Sequence, residues 1–124
     1  MNDVFVFGSN TEGRHGAGAA QVAHNVHGAK WGTAEGRQGN SYAIVTKDLR
    51  KGIRSIPLGY IALQVQDFLK YAGENPDERF IVTQIGCGLA GYRPKEIAPM
   101  FRGAPSNVVL PLSFTEVLQA GGTA

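Results

Sequence analysis

The sequence predicts an α/β domain with a mostly parallel sheet and helices on its faces. Strand-like and helix-like segments alternate along the chain, in the order expected of β-α-β units. A length of 124 residues suits one domain, and no linker separates two apolar cores. We therefore expect one domain over residues 1–124, with its core in about 3–114 and a flexible C-terminal tail.

The first half of the chain predicts two strands and one helix. Asp3 to Phe7 is nearly all apolar, with β-branched and aromatic residues, which is typical of a central strand. From about Ala17 the apolar residues recur at helical spacing, up to an expected C-cap at Gly28. The polar, glycine-rich residues 29–41 are expected to form a loop, and Tyr42 to Val45 the second strand.

The second half continues the alternation after an ambiguous stretch, 49–58, which fits a short strand or an irregular excursion. Gly59 to Ala72 has the clearest helical periodicity in the chain. Arg79 to Ile85 is another apolar strand, and Pro94 suits the first turn of a short helix. Asn107 to Leu112 predicts a last strand, at an edge or a strand end because of its proline. One short helical turn is expected in the tail.

Composition and charge exclude several classes of function. The net charge is only +2 and the charges are scattered, so nucleic acid is not expected as a partner except as a modified end. The single cysteine allows no intrachain disulfide. No apolar stretch approaches the roughly 18–20 residues of a membrane helix, and the N-terminus does not resemble a signal peptide. We expect a cytoplasmic protein without a membrane partner, and leave its oligomeric state open.

Seventeen glycines are unusual for this length, and they cluster at Gly8–Gly18, Gly28–Gly39 and Gly86–Gly91. Glycine permits close approach of the backbone to a ligand. In open α/β sheets, ligands bind beyond the carboxyl ends of the strands. Three segments that follow strands are expected to meet there: 8–19, 46–48 and 86–92.

The first of these segments, GSNTEGRHGAGAA, leads into the predicted first helix. Free N–H groups at a helix N-terminus bind anions, and Arg14 or His15 could add positive charge toward a diphosphate. The segment matches neither the Rossmann pattern nor a P-loop. The alternative is a glycine-rich turn that only packs the helix on the strand.

The second segment places Lys47 and Asp48 just past a strand. Lys47 could be a nucleophile, a phosphate partner or a solvated charge. Asp48 could orient a ribose hydroxyl or cap the next turn. The residues alone do not decide between these roles.

The third segment, IGCGLAGY, has three glycines within six residues and predicts a second phosphate-binding loop. Tyr92 could stack on a ring or cover a ribose, or it could be a half-buried core residue. Cys87 is not expected to be a nucleophile, because no partner base is identifiable. His24 and His27 have a possible metal spacing, but no carboxylate completes it, so we expect no metal and no cofactor.

Together, strand plus GAGAA, strand plus TK and strand plus IGCGL resemble the macrodomain superfamily. The branch that the chain most resembles is the terminal ADP-ribose protein glycohydrolase. It is also similar to small phage and bacterial proteins of uncertain function, in which FGSN…GRHGAGAA, SYAI.TKD and IGCGLAGY recur. The resemblance spans roughly residues 3–114. It implies a three-layer α/β/α fold with a mixed, mostly parallel sheet and a cleft for ADP-ribose or an ADP-ribosylated target.

The resemblance also implies site residues. In the glycohydrolase branch the lysine that matches Lys47 attacks the anomeric carbon of the distal ribose. Gly16 to Ala19 would line the distal ribose and diphosphate, and Gly86 to Ala90 would line the diphosphate from the other side. The complete set expected to bind ligand is Gly8, Ser9, Asn10, His15, Gly16, Ala17, Gly18, Ala19, Thr46, Gly86, Cys87, Gly88, Leu89, Ala90, Gly91 and Tyr92. Lys47, with Asp48 beside it, is the catalytic candidate.

One position departs from that branch, which follows GCGL with an aspartate where this chain has Ala90. A lysine without an acid partner loses proton-transfer assistance worth typically about 10²–10⁴-fold. Asp48, Glu12 and His15 are candidates for the missing acid or base. We therefore expect binding of an ADP-ribose-class nucleotide. The alternatives are an ADP-ribosyl hydrolase that uses Lys47 with an unidentified acid, and an interaction protein whose site is lost.

Overall fold

A five-stranded sheet forms the middle of the molecule in the computed structural model, which describes residues 2–122. The strands are β1 (Asn2–Asn10), β2 (Gly36–Gln38), β3 (Ser41–Lys47), β4 (Glu78–Val82) and β5 (Val108–Val109). They lie in the order β2-β3-β1-β4-β5. The β2–β3 pair is antiparallel, and the other pairs of these strands are parallel. This mixed, mostly parallel sheet confirms the predicted α/β class.

Helices cover both faces of the sheet. A short 3-10 helix, Ala98–Phe101, follows directly on the third α-helix. The second helix matches the prediction for Gly59 to Ala72 and buries an apolar face at helical spacing. The α-helices are α1 (Gly18–Val26), α2 (Leu58–Gly73), α3 (Pro94–Ile97) and α4 (Leu112–Gly122).

Side chains of β1 alternate between the two faces of the sheet, as the two-residue period of a strand requires. Val4 and Val6 lie in the larger apolar cluster, which the buried residues of α2, α3 and α4 complete. Phe7 lies on the other face, in a smaller cluster with Ala20 and Ala23 of α1. The core is therefore two unequal layers on either side of one sheet.

Two boundaries of the sheet differ from the sequence prediction. The strand expected over Arg79 to Ile85 ends at Val82, because the chain then turns on itself: the N–H of Ile85 donates to the carbonyl of Thr83 at 2.8 Å. The loop expected over 29–41 contains the short strand β2, which adds to β3.

The C-terminal region also differs from the prediction. The last strand comprises only Val108 and Val109, and α4 occupies Leu112–Gly122, where we expected a flexible tail with one helical turn. Phe114 of α4 is fully buried, with its ring 5.7 Å from that of Phe101. A buried aromatic ring holds this segment on the core. The last two residues of the expected tail, 123 and 124, lie outside the described residues.

The topology creates a crevice at the carboxyl end of β1. This strand lies between β3 and β4, with all three parallel. The loop after β1 leads to α1 on one face of the sheet, whereas the loop after β4 leads to α3 on the other. Loops that diverge from neighbouring parallel strands leave a space between them, and ligands of α/β proteins bind there.

Candidate ligand-binding cleft

A cleft of about 990 Å³ opens at the carboxyl ends of β1, β3 and β4. This volume lies at the upper end of the range of about 300–1,000 Å³ for small-molecule sites. Most of the residues predicted to bind ligand line the cleft. They are Gly8, Ser9, Asn10, Gly16, Ala17, Gly18, Ala19, Thr46, Gly86, Cys87, Gly88, Leu89 and Ala90, together with Lys47.

The first glycine loop, residues 10–17, follows β1 and is organised largely by one side chain. The Oδ1 of Asn10 accepts the N–H of Arg14 at 2.9 Å, and its Nδ2 donates to the carbonyl of Arg14 at 2.8 Å. Short polar side chains commonly organise loops in this way. The amide of Asn10 therefore shapes the loop.

The N-terminus of α1 opens into the cleft. Ala17 caps the helix with extended backbone and offers no side-chain acceptor. Within the described part of the chain, the N–H groups of Gly18, Ala19 and Ala20 have no hydrogen-bond partner. Three free N–H groups at the positive end of the helix dipole are suited to bind an anion by hydrogen bonds.

The second glycine loop, residues 83–92, follows β4 and is held by its own backbone. The N–H of Cys87 donates to the carbonyl of Gln84 at 3.1 Å, and the N–H of Tyr92 donates to that of Gly86 at 2.8 Å. Between them, the N–H groups of residues 88–90 have no partner among residues 2–122. This loop forms the other wall of the cleft and offers further donors.

The charged side chains that line the cleft are both positive. Lys47 lies half-buried at the end of β3 and forms no ion pair with any described residue. Arg14 is exposed, and its Nη2 lies 3.6 Å from the Oε1 of Glu12. Among residues 2–122, no carboxylate lines the cleft. The site therefore favours an anion.

His15 and Asp48 were expected in the site but do not line it. The ring of His15 is only 1% exposed; its Nε2 lies 3.1 Å from the carbonyl of Thr33, and the ring packs edge-on against Phe7. The Oδ1 of Asp48 accepts the N–H of Arg50 at 3.0 Å. This backbone bond, and then the Arg50 guanidinium, hold the pKa of Asp48 below its usual range. Asp48 therefore caps the turn that follows β3, which was the alternative to a contact with a ribose hydroxyl.

Gly91 and Tyr92 also lie outside the cleft lining. The hydroxyl of Tyr92 donates to the carbonyl of Ile56, and the Arg54 guanidinium lies 4.8 Å from the centre of the ring. A Cβ at Gly91 would lie 3.0 Å from that of Ile53. These residues anchor the second glycine loop to the segment before α2. Tyr92 is therefore a core residue, the second of the two alternatives given for it.

Cys87 lines the cleft with a thiol of low reactivity. Burial, and to a smaller extent the charge of Glu96, raises its pKa to about 11. A thiol with such a pKa is protonated at neutral pH and is a poor nucleophile.

The remaining histidines have local partners. The Nδ1 of His24 lies 2.9 Å from the carbonyl of Ala29, and the ring of His27 stacks on Phe5 at 4.5 Å. Residues 2–122 contain no cluster of three histidine, cysteine, aspartate or glutamate side chains that could hold a metal ion. In the same range, no helix has the length and apolar character needed to cross a membrane.

Sequence reasoning missed several residues of the cleft. Trp31 and Leu49 line it from connecting segments, and Thr83 and Gln84 line it from a stretch expected to be strand. The signal for Trp31 was present in the sequence, because a tryptophan in a polar, glycine-rich loop has no predicted apolar face to join. No comparable signal marked the others.

No family model, curated protein or solved structure matches this chain. The fold and the cleft define its class as a small α/β domain with a cleft at the switch point of a mostly parallel sheet.

Proposed function

We propose that this protein binds ADP-ribose, or a related nucleotide that contains ADP-ribose, in the cleft between the two glycine loops. The observation that carries the proposal is the set of free N–H groups at the N-terminus of α1, opposite those of residues 88–90. Two walls of backbone donors suit a diphosphate, whose oxygens accept from both sides.

The charges of the cleft support the same ligand. Lys47 and Arg14 are the charged side chains in the lining, and no carboxylate among residues 2–122 lines the cleft beside them. Hydrogen bonds to charged groups contribute about 1.5–3 kcal/mol each. A dianionic diphosphate therefore fits the cleft better than a neutral or cationic ligand does.

The sugar and base of the ligand are proposed from size and from motif order. The cleft is larger than a diphosphate alone requires. GAGAA follows β1, TK ends β3 and GCGL follows β4, in the order that the macrodomain resemblance implies. ADP-ribose supplies a diphosphate with a ribose on each side and an adenine at one end.

Binding is better supported than hydrolysis. Lys47 lines the cleft and is free to contact a ribose, as the hydrolase alternative needs. However, Ala90 stands where the resembling branch has its acid, and the carboxylate of Asp48 is occupied by Arg50. Among residues 2–122, no carboxylic acid lines the cleft that could act as the acid partner of Lys47.

Calorimetric titration of ADP-ribose into the protein tests the proposal. We expect saturable binding, which Gly88→Val weakens at least about tenfold (roughly 1.4 kcal/mol). A Cβ at Gly88 meets no atom within 4 Å, so the fold should tolerate the change. Gly59→Val is the matched control, because Gly59 has the same open space but lies on α2, outside the cleft lining. No heat and no thermal shift at millimolar ADP-ribose would refute the proposal.

The hydrolase alternative needs a separate assay. ADP-ribosylated carboxylate and nucleic-acid substrates are incubated with the protein and with Lys47→Ala. We expect no turnover by either protein. Turnover that the alanine variant lacks would establish the lysine mechanism instead.

A further inference from the structure

Trp31 is a large apolar side chain displayed at the cleft. It is 57% exposed, and it lines the cleft beside the N-terminus of α1. A Cβ built on Gly16 would lie 3.7 Å from the edge of its indole ring. Exposed apolar residues need no explanation when they are scattered. Trp31 differs because the backbone around it is held in place.

The turn that carries Trp31 is closed by local hydrogen bonds. The N–H of Thr33 donates to the carbonyl of Lys30 at 3.0 Å, and Gly32 has φ +89°. A glycine with positive φ at the third position is the requirement of a type II turn. Trp31 therefore occupies the second position, at the tip of the turn.

The same turn is also tied to two other parts of the fold. The buried side chain of Gln38 accepts the N–H of Lys30 at 2.7 Å and donates to the carbonyl of Thr33 at 3.0 Å. The N–H of Gly32 donates to the carbonyl of Gly13 in the first glycine loop at 2.8 Å. These bonds fix the turn to β2 on one side and to the cleft wall on the other.

Two histidine rings support the indole from the protein side. The ring of His24 lies 5.7 Å from the Trp31 ring, at 67°, and the ring of His15 lies 6.4 Å away, at 75°. Edge-to-face contacts of this kind restrict an aromatic ring without covering both of its faces. A ring restricted before a ligand arrives loses little conformational freedom on binding.

We propose that Trp31 is the stacking surface for the aromatic base of the nucleotide. This inference rests on the proposed function, because it assigns one end of the ligand that the cleft is proposed to bind. The segment carries none of the three motifs of the resemblance, so the assignment comes from the structure. Stacking is tolerant of base identity, since every base has a π face. The ligand class is thus a diphosphate nucleotide that keeps its base, not a sugar phosphate.

Intrinsic fluorescence tests this directly, because Trp31 is the single tryptophan of the chain. We expect ADP-ribose to quench its emission with the dissociation constant that calorimetry gives. Ribose 5-phosphate and pyrophosphate, which lack a base, should leave the emission unchanged.

Substitution of Trp31 gives the second measurement. Base stacking on an aromatic side chain typically contributes about 5- to 150-fold in affinity. Trp31→Ala should weaken ADP-ribose binding within that range and leave pyrophosphate binding unchanged, and Trp31→Phe should retain part of the affinity. Tyr60→Ala is the control, because Tyr60 is an exposed aromatic residue outside the cleft lining and should not affect binding.

The outcomes separate this inference from the proposed function. Suppose that ADP-ribose binds. If Trp31→Ala then weakens ADP-ribose and pyrophosphate equally, or changes the affinity for neither ligand, Trp31 is not a base platform. If ADP-ribose does not bind, the proposed function fails, and AMP is titrated with the same fluorescence readout. Saturable quenching by AMP then supports Trp31 as a base platform for another nucleotide, and its absence overturns the inference as well.

Discussion

The two glycine loops form opposite walls of one cleft, yet they are built differently. The first, residues 10–17, is held by the side chain of Asn10 and by the Trp31 turn, and it ends at the exposed N-terminus of a nine-residue helix. The second, residues 83–92, is held by backbone bonds and by Tyr92. It leads to α3, which has only four residues.

The two loops also present different chemistry to the cleft. The first loop carries the helix dipole and Arg14, so it supplies aligned donors and charge. The second loop has no charged side chain in the cleft lining, and its Leu89 is 67% exposed. It supplies shape and additional donors. Similar glycine content therefore does not imply a similar role.

The largest expected effect comes from a single methyl group in the first loop. A Cβ at Gly13 would lie 2.5 Å from the backbone of Gly32, and Gly13 has φ +65°. Overpacking together with left-handed strain should cost Gly13→Ala about 2–4 kcal/mol of unfolding free energy. A Cβ at Gly88 in the second loop would meet no atom within 4 Å, so Gly88→Ala should change the unfolding free energy by less than about 0.5 kcal/mol. Urea unfolding measures the free energy of unfolding of both variants. Equal losses of stability would contradict the expected difference between the two loops.

The second effect concerns the chemistry of the second loop. Because burial raises the pKa of Cys87 to about 11, its thiolate population at pH 8 should be about a hundredfold below that of a thiol at the ordinary value. Iodoacetamide should therefore label the native protein slowly, and urea should restore ordinary labelling. The raised pKa also implies that the contribution of Cys87 to stability is present below pH 9 and falls as the pH rises toward 11. Fast labelling of the native protein at pH 8 would mean that this loop activates its thiol.

Charge removal then compares the two cations of the cleft. Lys47 is half-buried and unpaired among residues 2–122, so Lys47→Gln should weaken ADP-ribose binding about tenfold. Arg14 is exposed and paired with Glu12, so Arg14→Gln should weaken it only about two- to fivefold. Calorimetry at two salt concentrations gives both values. A larger loss of affinity for Arg14→Gln than for Lys47→Gln would indicate that the diphosphate lies closer to Arg14 in the first glycine loop.

The smallest effect on binding is expected at Tyr92. Tyr92→Phe removes the hydrogen bond to the carbonyl of Ile56 and should lower stability by about 1 kcal/mol. The affinity for ADP-ribose should not change, because the ring faces Arg54 rather than the cleft. Paired unfolding and binding measurements check this. A loss of affinity beyond twofold would assign Tyr92 a ligand contact.

Much of the cleft could be predicted because its determinants are local. A glycine-rich segment after an apolar strand is visible in the sequence, and parallel strands bring their carboxyl ends to one edge. Gly16 to Ala19 and Gly86 to Ala90 line the cleft for that reason. His15 and Tyr92 could not be placed in the same way. Each lies one or two residues from a lining residue, and only packing decides which way its side chain points.

The sequence by itself determined the alternation of strands and helices, and with it the α/β class and the three segments beyond the strand ends. The spacing of apolar residues and the positions of glycines reflect backbone conformation over a few residues. A single segment is therefore enough to predict its own strand, helix or loop. Only the tertiary structure decided the partners of distant residues. It placed Trp31 against the first glycine loop and folded the expected tail onto Phe101. Such contacts depend on packing between segments far apart in the chain, which no local pattern specifies.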